Sequence, residues 1–368
     1  MKVLVTGAAG FIGKNLCVSL SRNTEIEIIR FSRQDSIGDL PGLVEKVDFI
    51  FHLAGVNRPK DDTEFFSGNS DLTESLCQAI KLTGRNIPIV LTSSIQAERP
   101  NAYGKSKLKA EMHLLSLYME TGNNVYIYRL PNVFGKWCKP NYNSVIATFC
   151  HNISHNLPIQ INDSSAVLKL VHIGAVVTSF LDVMQSLPKD KLYIDVQPVY
   201  EVTLGELADQ LYKFKESRES LVVEPVGDGF TRVLYATYIS YIPPNEFNYP
   251  LTKNEDARGS FVEMLKTKDS GQFSFFTAHP GVTRGGHYHH VKTEKFLVIK
   301  GQARFGFRHI VTDEVCEIFT SGEQPEVVET VPGWSHDVTN VSDDELVVML
   351  WANENFDKAR PDTVYFKV

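Results

Sequence analysis

The sequence predicts an α/β half built on a doubly wound parallel sheet, followed by a smaller all-β half. Three observations carry this. Strand-like and helix-like segments alternate up to residue 243, which argues for a parallel sheet covered on both faces. Glycines at 7, 10 and 13 separate the first strand from the first helix. From Asp256 onward the chain consists of short strands punctuated by glycines, without helical periodicity. A length of 368 residues fits two domains. The expected boundary lies in the proline- and aromatic-rich stretch Tyr241–Pro250, giving domains 1–243 and 244–368.

In chain order, Lys2–Thr6 is a short apolar strand and Phe11–Leu20 has helical periodicity. Glu25–Phe31, Asp48–Leu53, Pro88–Thr92 and Val125–Arg129 continue the strands, and Tyr103–Tyr118 reads as a helix. The second half offers FSFFTA, KFLVIKG, ARFGFRHI, CEIFTSG, EVVETVPG and LVVMLWA as strands of a sandwich or barrel. Hydrophobic residues make up 43% and charged residues 22%, the balance of an ordinary globular protein. A net charge of −7 excludes a general nucleic-acid binder, which needs a positive field. Five cysteines, without CxxC spacing, point to a reducing compartment. No apolar run approaches the length of a membrane span, and the first strand leads into a glycine turn instead of a signal-peptide cleavage site. The expectation is a cytoplasmic protein that does not engage a membrane.

Gly7, Gly10 and Gly13 lie in TGAAGFIG, after a strand and before a helix. Such glycines admit a pyrophosphate close to the backbone, and the helix N-terminus supplies free N–H groups. The second strand ends FSRQD, with Arg33 near its tip and no acid there. An acid would grip the ribose 2′-hydroxyl of NAD, whereas arginine accommodates a 2′-phosphate, so NADPH is expected. Tyr103 and Lys107 share a helix face, and Ser94 precedes them in LTSSIQ. A lysine ammonium together with a cofactor's positive ring is expected to lower the phenol toward neutrality.

This set resembles the extended short-chain dehydrogenase/reductase family with its Rossmann-type sheet. TGAAGFIG, HLAG (His52–Gly55), Ser94, Tyr103 and Lys107, and RLPNVFG (Arg129–Gly135) carry the resemblance. It implies Ser94, Tyr103 and Lys107 as the catalytic triad. It also implies Gly7, Gly10, Phe11, Ile12, Gly13, Arg33, Leu53, Ala54 and Gly55 as cofactor-binding residues. Asn132 and the stretch Lys139–Asn143, with Asn141 and Asn143, would face a nucleotide-sugar.

In the second half, GVTRGGHYHHVKTEKFLVIKG places His287, His289 and Glu294 between Gly281 and Gly301. Residues two apart on a strand share a face, so His287 and His289 can meet one metal. VPGWSHDVTN adds His336, with Asn340 four residues on. The spacing resembles both halves of the cupin signature. Histidines with a carboxylate suit Zn²⁺, and iron or manganese remain open. His290 and His279 fit no ligand slot. Upstream, DARGSFVE resembles the opening of metal-free sugar 3,5-epimerases, which implies that Arg258 binds the nucleotide diphosphate. In that resemblance His287 is a proton-abstracting base, so ligand and base both stand as readings. His290, Lys292, Glu263 and Tyr288 are further candidates for the base.

The whole chain resembles the bifunctional CapF-type enzymes of capsule and O-antigen synthesis, with KWCKPNYNSVIATFC (Lys136–Cys150) and HYHHVKTEKFLVIKG (His287–Gly301) closest to that family. The resemblance implies a UDP-2-acetamido-2,6-dideoxy-4-hexulose substrate. The cupin would epimerise C3. The reductase half would then reduce C4 with NADPH to UDP-2-acetamido-2,6-dideoxy-L-talose, a precursor of UDP-N-acetyl-L-fucosamine. It further implies a homodimer with zinc in the cupin. The alternative is a monofunctional NADPH-dependent 4-keto nucleotide-sugar reductase whose cupin only binds sugar or mediates dimerisation.

Overall fold

The structure is a computed structural model and describes residues 1–59, 61–189, 191–256, 259–262, 264–267, 271–354 and 359–368. It contains two compact units. The first comprises Met1–Phe134, Asn141–Ser144 and Leu168–Glu201, and the second Gly135–Pro140, Val145–Val167 and Val202–Val368.

The first unit is built on five parallel strands: β1 (Lys2–Thr6), β2 (Glu27–Phe31), β3 (Phe49–His52), β4 (Ile89–Ser94) and β5 (Val125–Leu130). Their order is β2-β1-β3-β4-β5. Successive strand residues point to opposite faces, and both faces are covered at the sheet centre, so the stretches Val3–Val5, Phe49–Phe51, Ile89–Leu91 and Val125–Tyr128 are buried and apolar, whereas the edge strand β2 carries Glu27 and Arg30. Val3, Val5, Phe49, Phe51, Tyr126 and Tyr128 enter one core, with Leu16 of the helix Phe11–Leu20 and Phe180 of the helix Ile173–Ser186. Leu4, Ile50 and Ile127 enter the other, with Leu76 of the helix Leu72–Thr83 and Leu114 of the helix Ala102–Thr121. Each such burial stabilises the fold by about 1.5–3 kcal/mol.

In this order the connections reverse direction between β1 and β3, and open sheets bind ligands at that crevice, beyond the strands' carboxyl ends. β1 runs into Gly7–Gly13 and β3 into Leu53–Gly55. The two motifs read from the sequence therefore lie side by side at the crevice.

The second unit is β-rich. One antiparallel sheet orders the strands Asn248–Pro250, Glu326–Glu329, Glu294–Lys300, Leu346–Ala352 and Gln272–Ala278. The other orders Val315–Ser321, Gln302–His309, Trp334–Asn340, Thr283–Tyr288 and Val364–Tyr365. The helices Val145–Ser154, Leu204–Ser220 and Gly229–Ile239 also belong to this unit, so the compact division does not fall at residue 244. The reason is bonding between these helices and the strands. Arg218 Nη1 donates to Glu329 at 2.6 Å, and Asn353 Nδ2 donates to the Val226 carbonyl at 3.3 Å. Val222–Val223 also pairs in parallel with Lys266–Thr267.

All five cysteines are free thiols. Among the described residues no helix is long and apolar enough to cross a membrane.

Candidate active site and metal centre

The turn after β1 requires glycine at two positions. Gly7 has φ of 68°, and a Cβ there would lie 2.7 Å from the Ala54 nitrogen. A Cβ on Gly13 would lie 2.2 Å from the Gly7 carbonyl oxygen. Gly10 begins the helix without a side-chain cap, so first-turn amides at Phe11, Ile12 and Gly13 are oriented toward the turn. That arrangement suits a pyrophosphate. The phenyl and butyl side chains of Phe11 and Ile12 pack against the core beneath.

The HLAG segment is tied to the end of β1. Leu53 and Ala54 both donate their backbone N–H to Thr6 Oγ1 at 3.2 Å. Those amides are thus engaged within the protein. Thr6 Oγ1 lies 2.7 Å from His52 Nδ1, and His52 Nε2 lies 2.9 Å from Thr73 Oγ1. Thr73 donates to the Asn69 carbonyl at 2.5 Å, so it accepts from His52 Nε2–H, and Thr6 donates to Nδ1. His52 is neutral: burial, helped by the nearby Lys107 charge, lowers its pKa to about 3. Arg33 is exposed just beyond β2. Asp35 turns back to accept from the backbone and hydroxyl of Ser32 at 2.6 and 2.9 Å.

Ser94 ends β4, and its Oγ accepts from the Gln96 amide at 3.2 Å. The helix carrying Tyr103 and Lys107 begins at Asn101, whose side chain accepts from Gly104 N at 2.7 Å. Gly104 lets this helix start press against the turn after Ser94, since a Cβ there would lie 2.2 Å from the Gln96 carbonyl. Ser94 and Tyr103 are consequently neighbours, close enough for the Ser94 hydroxyl to favour the phenolate. Lys107 Nζ is buried, donates to the Thr92 carbonyl at 3.1 Å and lies 6.0 Å from the Tyr103 ring centre.

The expected lowering of the Tyr103 phenol is not found in the chain by itself. Burial raises it, and the Ser94 hydroxyl offsets only part of that rise. Lys107 does not reverse the balance, because its ammonium is turned to the Thr92 carbonyl and is itself lowered to about 8 by burial, against the pull of Glu111.

The second constellation converges as well. The ligand-type atoms of His287, His289, Glu294 and His336 all lie within 4.8 Å of one another. A bulge creates this meeting. The pairing of strand Thr283–Tyr288 with strand Trp334–Asn340 slips between Gly285 and His287, which brings His287 opposite His336. Gly285 and Gly286 have φ of 102° and 73°, and a Cβ on Gly285 would lie 2.9 Å from the His336 carbonyl.

The donor set fits a divalent cation. His289 Nδ1 bonds to the backbone carbonyl of Asp362 and therefore carries a proton, which leaves Nε2 as the lone-pair nitrogen. That nitrogen lies 3.1 Å from Glu294 Oε2, so two acceptors face each other unless a cation or a second proton lies between them. His336 is buried; its Nε2 is 3.4 Å from Glu294 Oε2, and its Nδ1 has no partner among the described residues. Burial pushes the His287 pKa down to about 3 and also lowers His336. Burial raises Glu294, but His289 and His336 outweigh it and hold the carboxyl well below its usual range. Lys292 Nζ lies 2.8 Å from Glu294 Oε1.

Asn132 is exposed and donates to the Lys169 carbonyl at 3.2 Å. Asn141 and Asn143 are exposed, Asn141 with φ of 54°. Arg258 and Glu263 lie outside the described residues. His279 is exposed, and Asn340 bonds to the Ala278 and Asp344 carbonyls as a structural residue. His290 Nδ1 lies 3.0 Å from Lys136 Nζ, a buried ammonium that burial lowers to about 8. Asp362 accepts from the amides of His290, Val291 and Lys292 at 2.7–2.9 Å and so shapes the loop that carries His289. Neither Lys136 nor Asp362 has a local sequence signal, since each meets its partners from far along the chain.

Residues 3–194 match the NAD-dependent epimerase/dehydratase family, and residues 254–364 match the polysaccharide biosynthesis C-terminal domain. A UDP-2-acetamido-2,6-beta-L-arabino-hexul-4-ose reductase of Pseudomonas aeruginosa is 60% identical over 363 residues, covering 99% of this chain and 98% of that protein. The crystal structure of the capsular polysaccharide assembling protein CapF of Staphylococcus aureus aligns over 100% of both chains, with 44% identity and a TM-score of 0.69. The chain is a CapF-type member of the NAD-dependent epimerase/dehydratase family. A UDP-glucuronic acid 4-epimerase of Bacillus cereus shares 19% identity over 58% of this chain and 84% of that one, with a TM-score of 0.53, and shares the fold. As a CapF-type member of an NAD-dependent family, the chain works with a nicotinamide cofactor.

Proposed function

We propose that this enzyme handles a UDP-linked 2-acetamido-2,6-dideoxy-4-hexulose at two sites, epimerising C3 in the cupin half and reducing C4 in the parallel-sheet half. The product is UDP-2-acetamido-2,6-dideoxy-L-talose, a precursor of UDP-N-acetyl-L-fucosamine for capsule or O-antigen. The observation that carries the reading is the presence in one chain of two separate convergent sets: Ser94 with Tyr103 and Lys107, and the three histidines with Glu294.

Reduction needs a proton donor at the C4 oxygen. A buried phenol raised above its ordinary value stays protonated at neutral pH, which suits Tyr103 as that acid. Ser94 orients the phenol and the ketone oxygen, and the Lys107 ammonium favours the phenolate left behind. The bound nicotinamide supplies the hydride. Gly7, Gly10, Phe11, Ile12 and Gly13 would hold its pyrophosphate, and Leu53, Ala54 and Gly55 would border it. NADPH is the favoured form, because Arg33 is exposed at the β2 tip and Asp35 is turned back onto Ser32. Asn132, Asn141, Asn143 and Arg258 are the proposed contacts to the nucleotide-sugar.

Epimerisation begins with loss of the C3 proton, which the neighbouring C4 carbonyl acidifies. His287, His289, Glu294 and His336 would hold Zn²⁺ or another divalent ion, whose positive charge stabilises the enolate. With His287 engaged as a ligand, a separate group takes the proton, and return of a proton to the opposite face of the enolate inverts C3. We further propose a cytoplasmic homodimer.

Deuterium incorporation in D₂O tests the scheme. Tyr103→Phe should lose reduction by about 100-fold or more while still exchanging the C3 hydrogen. His336→Ala should lose the exchange and the bound metal while keeping NADPH binding. The alternative, a cupin that only binds sugar or mediates dimerisation, draws on the P. aeruginosa relative being named for reduction alone. Under that alternative Tyr103→Phe shows no exchange, an outcome that would sink the two-site reading.

A further inference from the structure

Glu111 is fully buried in the helix Ala102–Thr121, two turns beyond Tyr103 and one beyond Lys107, so the three share a face. Its carboxylate is fully engaged. Ser93 Oγ donates to Oε1. Arg129 Nε donates to the two oxygens at 3.0 and 3.1 Å, and Nη2 to Oε2 at 2.7 Å. The Tyr193 hydroxyl donates to Oε2 at 3.3 Å. Arg129 stands on β5 opposite Ser93 of β4, and its Nη1 reaches Glu98 at 2.6 Å in the turn after Ser94. One carboxylate thus ties together the helix of Tyr103 and Lys107, the strand that ends in Ser94, and the turn between them.

A buried ion pair is no better for stability than well-packed apolar residues of the same volume. Its distinctive contribution is geometric, because a bidentate guanidinium fork fixes distance and angle together. We propose that Glu111 and Arg129 are positioning residues for the reduction, setting the Tyr103–Lys107 face against Ser94 and keeping the Lys107 ammonium charged in its buried site. This rests on Tyr103 being the proton donor.

The charge balance at Lys107 follows from its neighbours. β3 contributes neutral His52, and β4 contributes the Thr92 carbonyl. Gly55 in the loop after β3 and Asn69 in the helical segment Phe66–Asp71 lie beside Lys107, and both are uncharged. On its own helix it meets Tyr103 and Glu111. Of these, Glu111 is the group that is negative at neutral pH. Burial pulls Lys107 down and Glu111 opposes it. Neutralising Glu111 therefore lets the ammonium deprotonate at lower pH.

The test is the pH profile of kcat for NADPH-dependent reduction of a 4-keto UDP-sugar by the full chain carrying Glu111→Gln. The expected result is a basic limb moved to lower pH by about one unit and a kcat lower by about 100-fold, with KM for NADPH nearly unchanged. Arg129→Lys keeps charge but loses the fork, so its kcat should fall with the limb in place. A lower unfolding temperature with unaltered kcat and limb overturns the proposal. Should Glu111→Gln fail to fold, unaltered kcat in Arg129→Lys overturns it equally. Tyr103→Phe is measured alongside: reduction near the unsubstituted rate there overturns the donor assignment itself, whereas a Tyr103→Phe slowed by about 100-fold or more beside a normal Glu111→Gln overturns only the positioning role.

Discussion

His52 is a buried imidazole whose two nitrogens are committed to Thr6 and Thr73, and its pKa of about 3 has a consequence for stability. A lowered histidine binds its proton more readily when unfolded, where its pKa is about 6.5. Its contribution is therefore fully present above pH 6.5 and is lost as pH falls from there toward 3, by at most about 1.4 kcal/mol per pH unit. Denaturant titrations at pH 7 and pH 5.5 should show this loss, and His52→Gln should flatten it. An identical pH slope in the variant would contradict the account. At this scale the sequence was legible where spacing is local. Ser94, Tyr103 and Lys107 meet because a strand end and one helix turn bring them together, and His287 with His289 because they sit two apart. Glu111 was not legible. A glutamate among KLKAEMH reads as a solvated charge, and only its pairing with Arg129 on a strand far along the chain reveals it as buried.

The helix Ala102–Thr121 owes its position to its first turn. Gly104 there approaches the Gln96 and Arg99 carbonyls so closely that an added Cβ would lie 2.2 and 2.5 Å from them. Gly104→Ala should push the helix start away from the turn after Ser94, costing about 1–3 kcal/mol of stability. Because Tyr103 precedes Gly104, reduction should fall by about tenfold or more. Thermal unfolding and kcat measured together check this, and a variant with normal kcat would show that the turn has slack. Most element boundaries were legible to within two residues, but the helix read as Tyr103–Tyr118 runs on to Thr121, and EVVETVPG is a strand over Glu326–Glu329 alone. β4 runs on past Thr92 because Ser93 and Ser94 continue pairing with Arg129 and Leu130. The second strand begins at Glu27, after Ile26 donates back to the Asn23 carbonyl in a turn.

On the scale of the whole molecule, the alternation of strands and helices and the change to short strands after Asp256 anticipated both architectures. Composition did not reveal which helices join the β-rich unit, because that depends on buried charges. Lys295 and Glu329 are both buried and paired, Lys295 also bonds to the Tyr249 hydroxyl at 3.0 Å, and Arg218 reaches Glu329 from the helix Leu204–Ser220. Glu329→Ala leaves Lys295 unpaired in the interior and should destabilise this unit by about 3–5 kcal/mol. Calorimetry would register it, and an unchanged unfolding temperature would show that the network is dispensable.

The doubled glycine before His287 also bears on which sequence changes this half can survive. Side chains on a strand alternate sides, so pairing this stretch without the bulge would set Gly286 opposite His336 and turn the HxH pair outward together while every residue type in the motif stayed present. A chain lengthened by one residue before His287 would keep all four of these side chains in the motif, yet the ladder would have to absorb two unmatched residues to keep His287 opposite His336. Length, as much as composition, is therefore what this stretch of backbone encodes.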